Sequence, residues 1–216
     1  MRRVTLLTLL LASQAWATLP RVFILGDSIQ AGVPGVRLQS SVPSVVLGRL
    51  GHALVQNLSA PGATICNKPP LIGGTALGPT LWFLKGWFGT AGDPHRSGGL
   101  LIMLGRNDWA GDADPMQFAA DYAALLQSAP PGLPILCVTP LWAVDEGMPN
   151  EWGLTAQDFR DLIASTCTAL GVPVLDGLTL TPHEPSCFTD GLHPNDWCSR
   201  HIGRTLARAL RARGWL

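Results

Sequence analysis

Charge is scarce in this chain and evenly divided. Of 216 residues only 14% are charged, with 15 basic against 15 acidic side chains and no run of like charges. A nucleic-acid partner requires a basic patch or stripe, so that class of function is excluded. No linker or internal repeat divides the chain. With 47% hydrophobic residues, disorder is excluded as well, and one substantial core is expected. The N-terminal apolar stretch Val4–Ala12 is much shorter than the roughly 20 residues a membrane-spanning helix needs.

That stretch follows Arg2-Arg3 and precedes Ala15-Trp16-Ala17, a small-x-small cleavage pattern. Together they predict a signal peptide over residues 1–17, cleaved after Ala17, and a single mature domain over 18–216; the alternative is an uncleaved membrane anchor. Cleavage leaves 13 basic against 15 acidic side chains and no integral membrane segment. The expected location is secreted or periplasmic, and the expected state is a monomer. Disulfides are permitted there, and five cysteines cannot all pair within one chain. Cys137 and Cys167 read as core residues. Cys187 and Cys198 flank the segment Asp190–His193, where a bridge would staple the loop; sequence alone leaves bridged and free forms both open.

Five short apolar runs, each bounded mostly by Gly, Pro or Asn, predict strands at Val22–Leu25, Ala53–Leu58, Leu100–Leu104, Ile135–Thr139 and Val172–Leu175. Helical patterns cover Gly35–Leu50, Pro115–Gln127, Thr155–Leu170 and Asn195–Ala212. On the last, Arg200, Arg204, Arg208, Arg211 and Arg213 read as a solvated face with cations toward the helix C-terminus. Strands alternating with helices predict an α/β fold, a three-layer α/β/α sandwich around a parallel sheet.

In such sheets ligands bind beyond the carboxyl ends of the strands, where strand order reverses. The polar residues here fall at those ends. Gly26-Asp27-Ser28 follows the first strand, Ala60-Pro61-Gly62-Ala63 the second, and Gly105-Arg106-Asn107-Asp108 the third. Serine is a weak nucleophile and needs a positioned base. His193 is the candidate, with Asp190 three residues earlier to hold one ring nitrogen. The alternative is that Asp190 and His193 only cap the helix that follows. A tetrahedral intermediate needs donors aimed at its oxygen. The backbone N–H groups of Ser28 and Gly62 and the amide of Asn107 are candidates, although Gly62 and Asn107 each read equally well as turn residues when taken singly.

Taken in order, these four blocks resemble the SGNH, or GDSL-type, family of serine esterases and lipases. Gly26-Asp27-Ser28 matches the first block, Gly62 the second, Gly105-Arg106-Asn107-Asp108 the third and Asp190-Gly191-Leu192-His193 the last. The resemblance spans nearly the whole mature chain. It implies a flavodoxin-like parallel sheet of about five strands, Ser28, His193 and Asp190 as catalytic residues, and neither metal nor organic cofactor. The implied activity is hydrolysis of carboxylic esters through an acyl-serine intermediate. Expected substrates are short acyl or acetyl esters of small molecules or polysaccharide. The alternatives are a thioesterase or lysophospholipase for longer chains, and a non-catalytic carbohydrate-binding protein on the same fold.

Around that core of residues the reading is looser. Asp27, Arg106, Trp109 and Trp142 are candidate substrate contacts because they adjoin strand ends, with core packing as the alternative for each tryptophan. Arg106 replaces a small or neutral residue of the family pattern. It either receives an anionic group or points to solvent, and solvent is the preferred reading. Trp152 and Trp197 lie in the next long loop and just past His193. The apolar insertion Asn67–Gly99 is expected either to pack on the core as a helix or to flap over the site.

Overall fold

The computed structural model describes residues 21–33, 42–66, 98–129 and 131–216. The expected signal peptide and nearly all of the Asn67–Gly99 insertion lie outside the described residues. Five strands form the sheet: β1 (Arg21–Gly26), β2 (Leu54–Asn57), β3 (Gly98–Met103), β4 (Ile135–Val138) and β5 (Val174–Leu175). Every pairing is parallel and the order is β2-β1-β3-β4-β5. This is the flavodoxin-like order, in which the direction of winding reverses between β1 and β3. The last strand is shorter than expected, because Pro173 cannot donate to a ladder and only Val174 and Leu175 pair with β4.

Alternate side chains along the strands enter two separate cores. Phe23, Leu25, Leu100, Ile102 and Cys137 face one layer of helices. Val22, Ile24, Leu101, Met103, Leu136 and Val138 face the other. Burial on both faces is why the strands read as unbroken apolar runs rather than alternating ones. The first layer consists of α4 (Pro115–Gln127) and α5 (Ala156–Ala169), which bring Phe118, Tyr122, Leu125, Phe159, Ile163 and Cys167. The second is α2 (Pro43–Gly51) and α6 (Asp196–Arg211), contributing Leu47, Ile202, Leu206 and Leu210. Two short helices, α1 (Ser28–Ala31) and α3 (Arg106–Ala110), start directly after β1 and β3.

Local chemistry starts and stops these helices. Asp114 accepts the backbone N–H groups of Met116 and Gln117 at 2.9 and 3.0 Å, with Pro115 at the first helical position of α4. Thr155 and Asp158 form a reciprocal capping box at the start of α5. Asn195 accepts the Cys198 N–H to open α6. The arginines of the last helix are exposed, as its amphipathic pattern requires. Of the helix expected over Gly35–Leu50, residues 35–41 lie outside the described residues; α2 begins at Pro43, and a proline at the first turn is a natural beginning because its missing N–H has no intrahelical partner there.

The second helical layer is unusually close-packed at Gly203. A Cβ added there would sit 2.6 Å from Val46 Cβ and 3.0 Å from the Pro43 carbonyl, so α2 and α6 touch through a missing side chain. Gly203→Val should therefore destabilise the fold by about 2 kcal/mol through overpacking. Urea unfolding of the variant measures this, and an unchanged midpoint would show that the two helices separate freely.

Candidate active site

The site is assembled at the switch point. The register that pairs Gly26 with Met103 makes the turns following β1 and β3 neighbours. Gly26 ends its strand under a close approach: a Cβ there would lie 2.8 Å from both Gln30 Cγ and Ser59 Oγ. Asp27 is extended and buried, and its carboxylate accepts the Ile29 N–H at 2.9 Å. That cap begins α1 at Ser28. Asp27, a candidate substrate contact, is placed under the helix start, where its carboxylate caps α1. Ser44 Oγ and Asn57 Nδ2 hold the Gln30 carbonyl at 2.8 and 3.0 Å, tying α1 to α2 and β2.

Ser28 Oγ lies 2.7 Å from His193 Nε2, although the residues are 165 positions apart. His193 Nδ1 lies 2.6 Å from Asp190 Oδ2. The other oxygen of Asp190 accepts the backbone N–H groups of His193 and Leu192 at 2.7 and 3.1 Å. Partial burial pushes the Asp190 carboxyl up, but the hydrogen bonds from the His193 backbone, its ring and Leu192 together hold it below the ordinary carboxylate range. Gly191 takes φ +87° to close this turn, a conformation that disfavours any Cβ. Below it, Phe188 bridges Pro194, Asn195 N–H donates to the Cys187 carbonyl, and Cys187 is disulfide-bonded to Cys198 with Cα atoms 5.6 Å apart. The bridge joins the two ends of the histidine loop, which sequence had left open. Cys66, Cys137 and Cys167 are free and buried.

The other two blocks meet beside Ser28. Gly105, at φ +115°, turns the chain where a Cβ would lie 2.8 Å from Ile163 Cδ1. Asn107 Nδ2 donates to the Ala63 carbonyl at 3.0 Å. Asp108 accepts the N–H groups of Ile65 and Cys66, each at 2.9 Å for the nearer oxygen. Gly62, at φ +74°, lies within the loop so held, and Ala60 N–H reaches the Gly26 carbonyl at 3.2 Å. Ser28, Gly62 and Asn107 are thus brought to one rim. Burial raises the Asp108 carboxyl to about 6, the N–H donors only partly opposing it. Asp108 is a residue whose organising role was missed. Its position after Asn107 was visible, but nothing in the sequence ties it to residues 65 and 66.

Two further expectations change, those for Arg106 and Trp109. Arg106 does not point to solvent: its side chain is 7% exposed, donates to both oxygens of Asp145 at 2.6 Å, and lies 4.2 Å over the Trp109 ring. Asp145, 39 positions away, is what draws it inward. Trp109 is not on the rim but in the core, its indole N–H donating to the Leu154 carbonyl at 2.9 Å. Trp142 packs behind the histidine loop, 5.3 Å from the Phe188 ring and stacked 5.7 Å from His183. Trp152 and Trp197 are half-exposed.

Comparison with known proteins adds the following. The sequence matches the model of the GDSL-like lipase/acylhydrolase family over residues 24–198. No curated protein matches it. Among solved structures, the native M. smegmatis aryl esterase aligns with a TM-score of 0.63 at 19% identity, covering 91% of this chain and 100% of that one. Est24, a carbohydrate acetylesterase from Sinorhizobium meliloti, aligns with a TM-score of 0.64 at 16% identity, covering 90% and 99%. The salicylyl-acyltransferase SsfX3 from a tetracycline biosynthetic pathway gives 0.62 at 18%, covering 92% of this chain and 56% of that one. At such identities the likeness is one of fold.

Two measurements follow from this geometry. Asp108 keeps its proton in the folded chain up to about 6, against 3.8 for an ordinary aspartate. Between those values folding takes up a proton, so this group's contribution to stability falls as pH rises. The wild type minus Asp108→Asn difference in unfolding free energy should drop by up to about 3 kcal/mol from pH 4 to pH 7; a flat difference refutes the shift. Separately, replacing Cys187 and Cys198 by serine should cost about 2–3 kcal/mol for a loop of this length. An unchanged urea midpoint would show the bridge to be dispensable.

Proposed function

Because this chain belongs to the GDSL-like lipase/acylhydrolase family, and is a serine ester hydrolase by class, we propose that Ser28 is its nucleophile, His193 its general base and Asp190 the residue that orients the base. The observation that carries this reading is the unbroken relay from Ser28 Oγ through His193 to Asp190, at 2.7 and 2.6 Å. A hydrogen-bonded hydroxyl can pass its proton to Nε2 as Oγ attacks an ester carbonyl. Asp190 keeps the Nδ1 proton in place and stabilises the imidazolium that forms. The proton then goes from Nε2 to the leaving alcohol. Water, deprotonated by the same nitrogen, attacks the acyl-serine; the acyl–Oγ bond breaks, Nε2 returns the proton to Oγ, and the acid leaves.

The oxyanion donors in this proposal are the backbone N–H groups of Ser28 and Gly62 and the Asn107 amide. Asn107 carries two amide hydrogens, and the bond of one to the Ala63 carbonyl orients the other. Such donors are effective because they are fixed before the charge appears.

The substrates proposed are short acyl or acetyl esters, with acetylated carbohydrate as the preferred source. Trp197, 59% exposed in the first turn of α6 and four residues from the base, offers a flat face suited to a sugar ring. Residues 1–17 are proposed to be a cleaved signal peptide on a single exported domain. The Cys187–Cys198 bridge supports an oxidising compartment, and no helix among the described residues is long and apolar enough to cross a membrane.

Ser28→Ala should lower kcat on p-nitrophenyl acetate by roughly 10^3-fold or more with its circular dichroism unchanged; wild-type turnover by that variant would overturn the assignment. A series of p-nitrophenyl esters decides the acyl length. Preference for acetyl supports the short-acyl reading, and preference for octanoyl or longer supports the thioesterase or lysophospholipase alternative.

A further inference from the structure

The loop after β4 holds two adjacent acids that part company onto two buried arginines. Asp145 takes the Nη2 group of Arg106, from α3, on both its oxygens at 2.6 Å. Glu146 takes Nη1 and Nη2 of Arg160, from α5, the latter at 2.7 Å. Arg160 also donates to the carbonyls of Pro140 and Leu141, at 2.7 and 3.2 Å. The loop is itself tightly wound, with Glu146 N–H on the Ala143 carbonyl and Met148 N–H on that of Asp145. It therefore behaves as one piece, pinned to the helices at both acids.

One residue before Asp145, Val144 N–H donates to the Gly191 carbonyl at 2.9 Å. Gly191 lies between Asp190 and His193, in the turn that holds the imidazole toward Ser28. The two residues are in ordinary packing contact as well: a Cβ on Gly191 would lie 3.5 Å from Val144 Cβ. A chain of contacts thus runs from Arg106, in the block beside Ser28, through Asp145 and Val144 to the turn bearing the histidine.

Arg106 is poorly used if its role is stability alone. Among the described residues, Nε and Nη1 are buried without a hydrogen-bond partner, and Nη2 makes the ion pair. An ion pair whose carboxylate side chain is 39% exposed contributes modestly to net stability, and an apolar side chain of similar size would pack on Trp109 as well. What an apolar side chain could not do is fix the carboxylate, and with it the Val144 N–H, in one place.

We propose that Arg106 and Asp145 are positioning residues that hold the Asp190–His193 turn in register with Ser28 through the Val144–Gly191 hydrogen bond. The proposal rests on the reading of His193 as general base. It touches neither substrate nor reacting atoms; it acts through the angle and distance of the imidazole, to which proton transfer is acutely sensitive.

The test uses the full exported chain and p-nitrophenyl acetate. Active serines are counted by the end point of fluorophosphonate labelling, so kcat is expressed per competent site and a loss of folded protein is removed from the comparison. Asp145→Ala should lower that kcat about 10- to 100-fold with KM within about twofold. Asp145→Asn, which keeps the shape and an acceptor, should fall between the two. In protein labelled with 15N-histidine, the Nδ1 proton signal of His193 should shift in Asp145→Ala, a change that a merely stabilising pair would not cause. The Arg106→Met/Asp145→Ala double variant should be no slower than the worse single one. The proposal is overturned if both Asp145 variants keep kcat per site within about twofold of wild type, or if KM alone changes. Should Ser28→Ala or His193→Ala remain active, the underlying catalytic reading fails instead, whatever Asp145 shows.

Discussion

The parallel pairing of β1 with β3 is the constraint on which everything else rests. Its register runs from Arg21 opposite Gly98 to Gly26 opposite Met103, so both strands end at the same level. The chain then leaves in two neighbouring turns, one bearing Ser28 and one bearing Asn107. A slip of a single residue would exchange the two faces of a strand, since Phe23 and Leu25 enter one core while Val22 and Ile24 enter the other. The register is thus secured by two apolar layers, and the site inherits its geometry from them.

Above the sheet the means of support changes. The loops at the rim are held chiefly by buried polar groups: Asp27 on α1, Asp108 on the loop after β2, Arg106 and Arg160 on the loop after β4. Apolar packing is non-directional and tolerates small displacements, whereas a carboxylate bonded to two backbone N–H groups does not. The histidine loop adds a covalent bond, the Cys187–Cys198 bridge, at a place where few side chains are buried. Directional bonds at the rim and apolar layers beneath make a coherent division of labour, with the His193 imidazole held 2.7 Å from the Ser28 hydroxyl.

Some elements were legible because their cause is local. Pro115, Thr155 and Asp158 lie at the helix starts they produce, and the starts of α4 and α5 follow from them. The strands β1, β3 and β4 were legible because burial on both faces demands continuous apolar runs. Trp109 was misread because a tryptophan after a strand end is compatible with either rim or core. The Leu154 carbonyl that accepts its indole N–H comes from 45 residues away. Arg106 was misread for the same kind of reason, its partner lying in a loop that carries no motif.

From the residues alone, this chain's order of strands and helices, its class of chemistry and the identities of Ser28, Asp190 and His193 as the group to consider were already determined. Those depend on periodicity, on turn residues and on spacing within a few positions, all written along one dimension. Folding alone decided which loops abut. That the Ser28 hydroxyl meets His193, that Asp108 grips the Gly62 loop, and that Arg106 turns inward to Asp145 depend on strand order and register. Contacts across such separations arise from the packing of layers, and no local pattern encodes them.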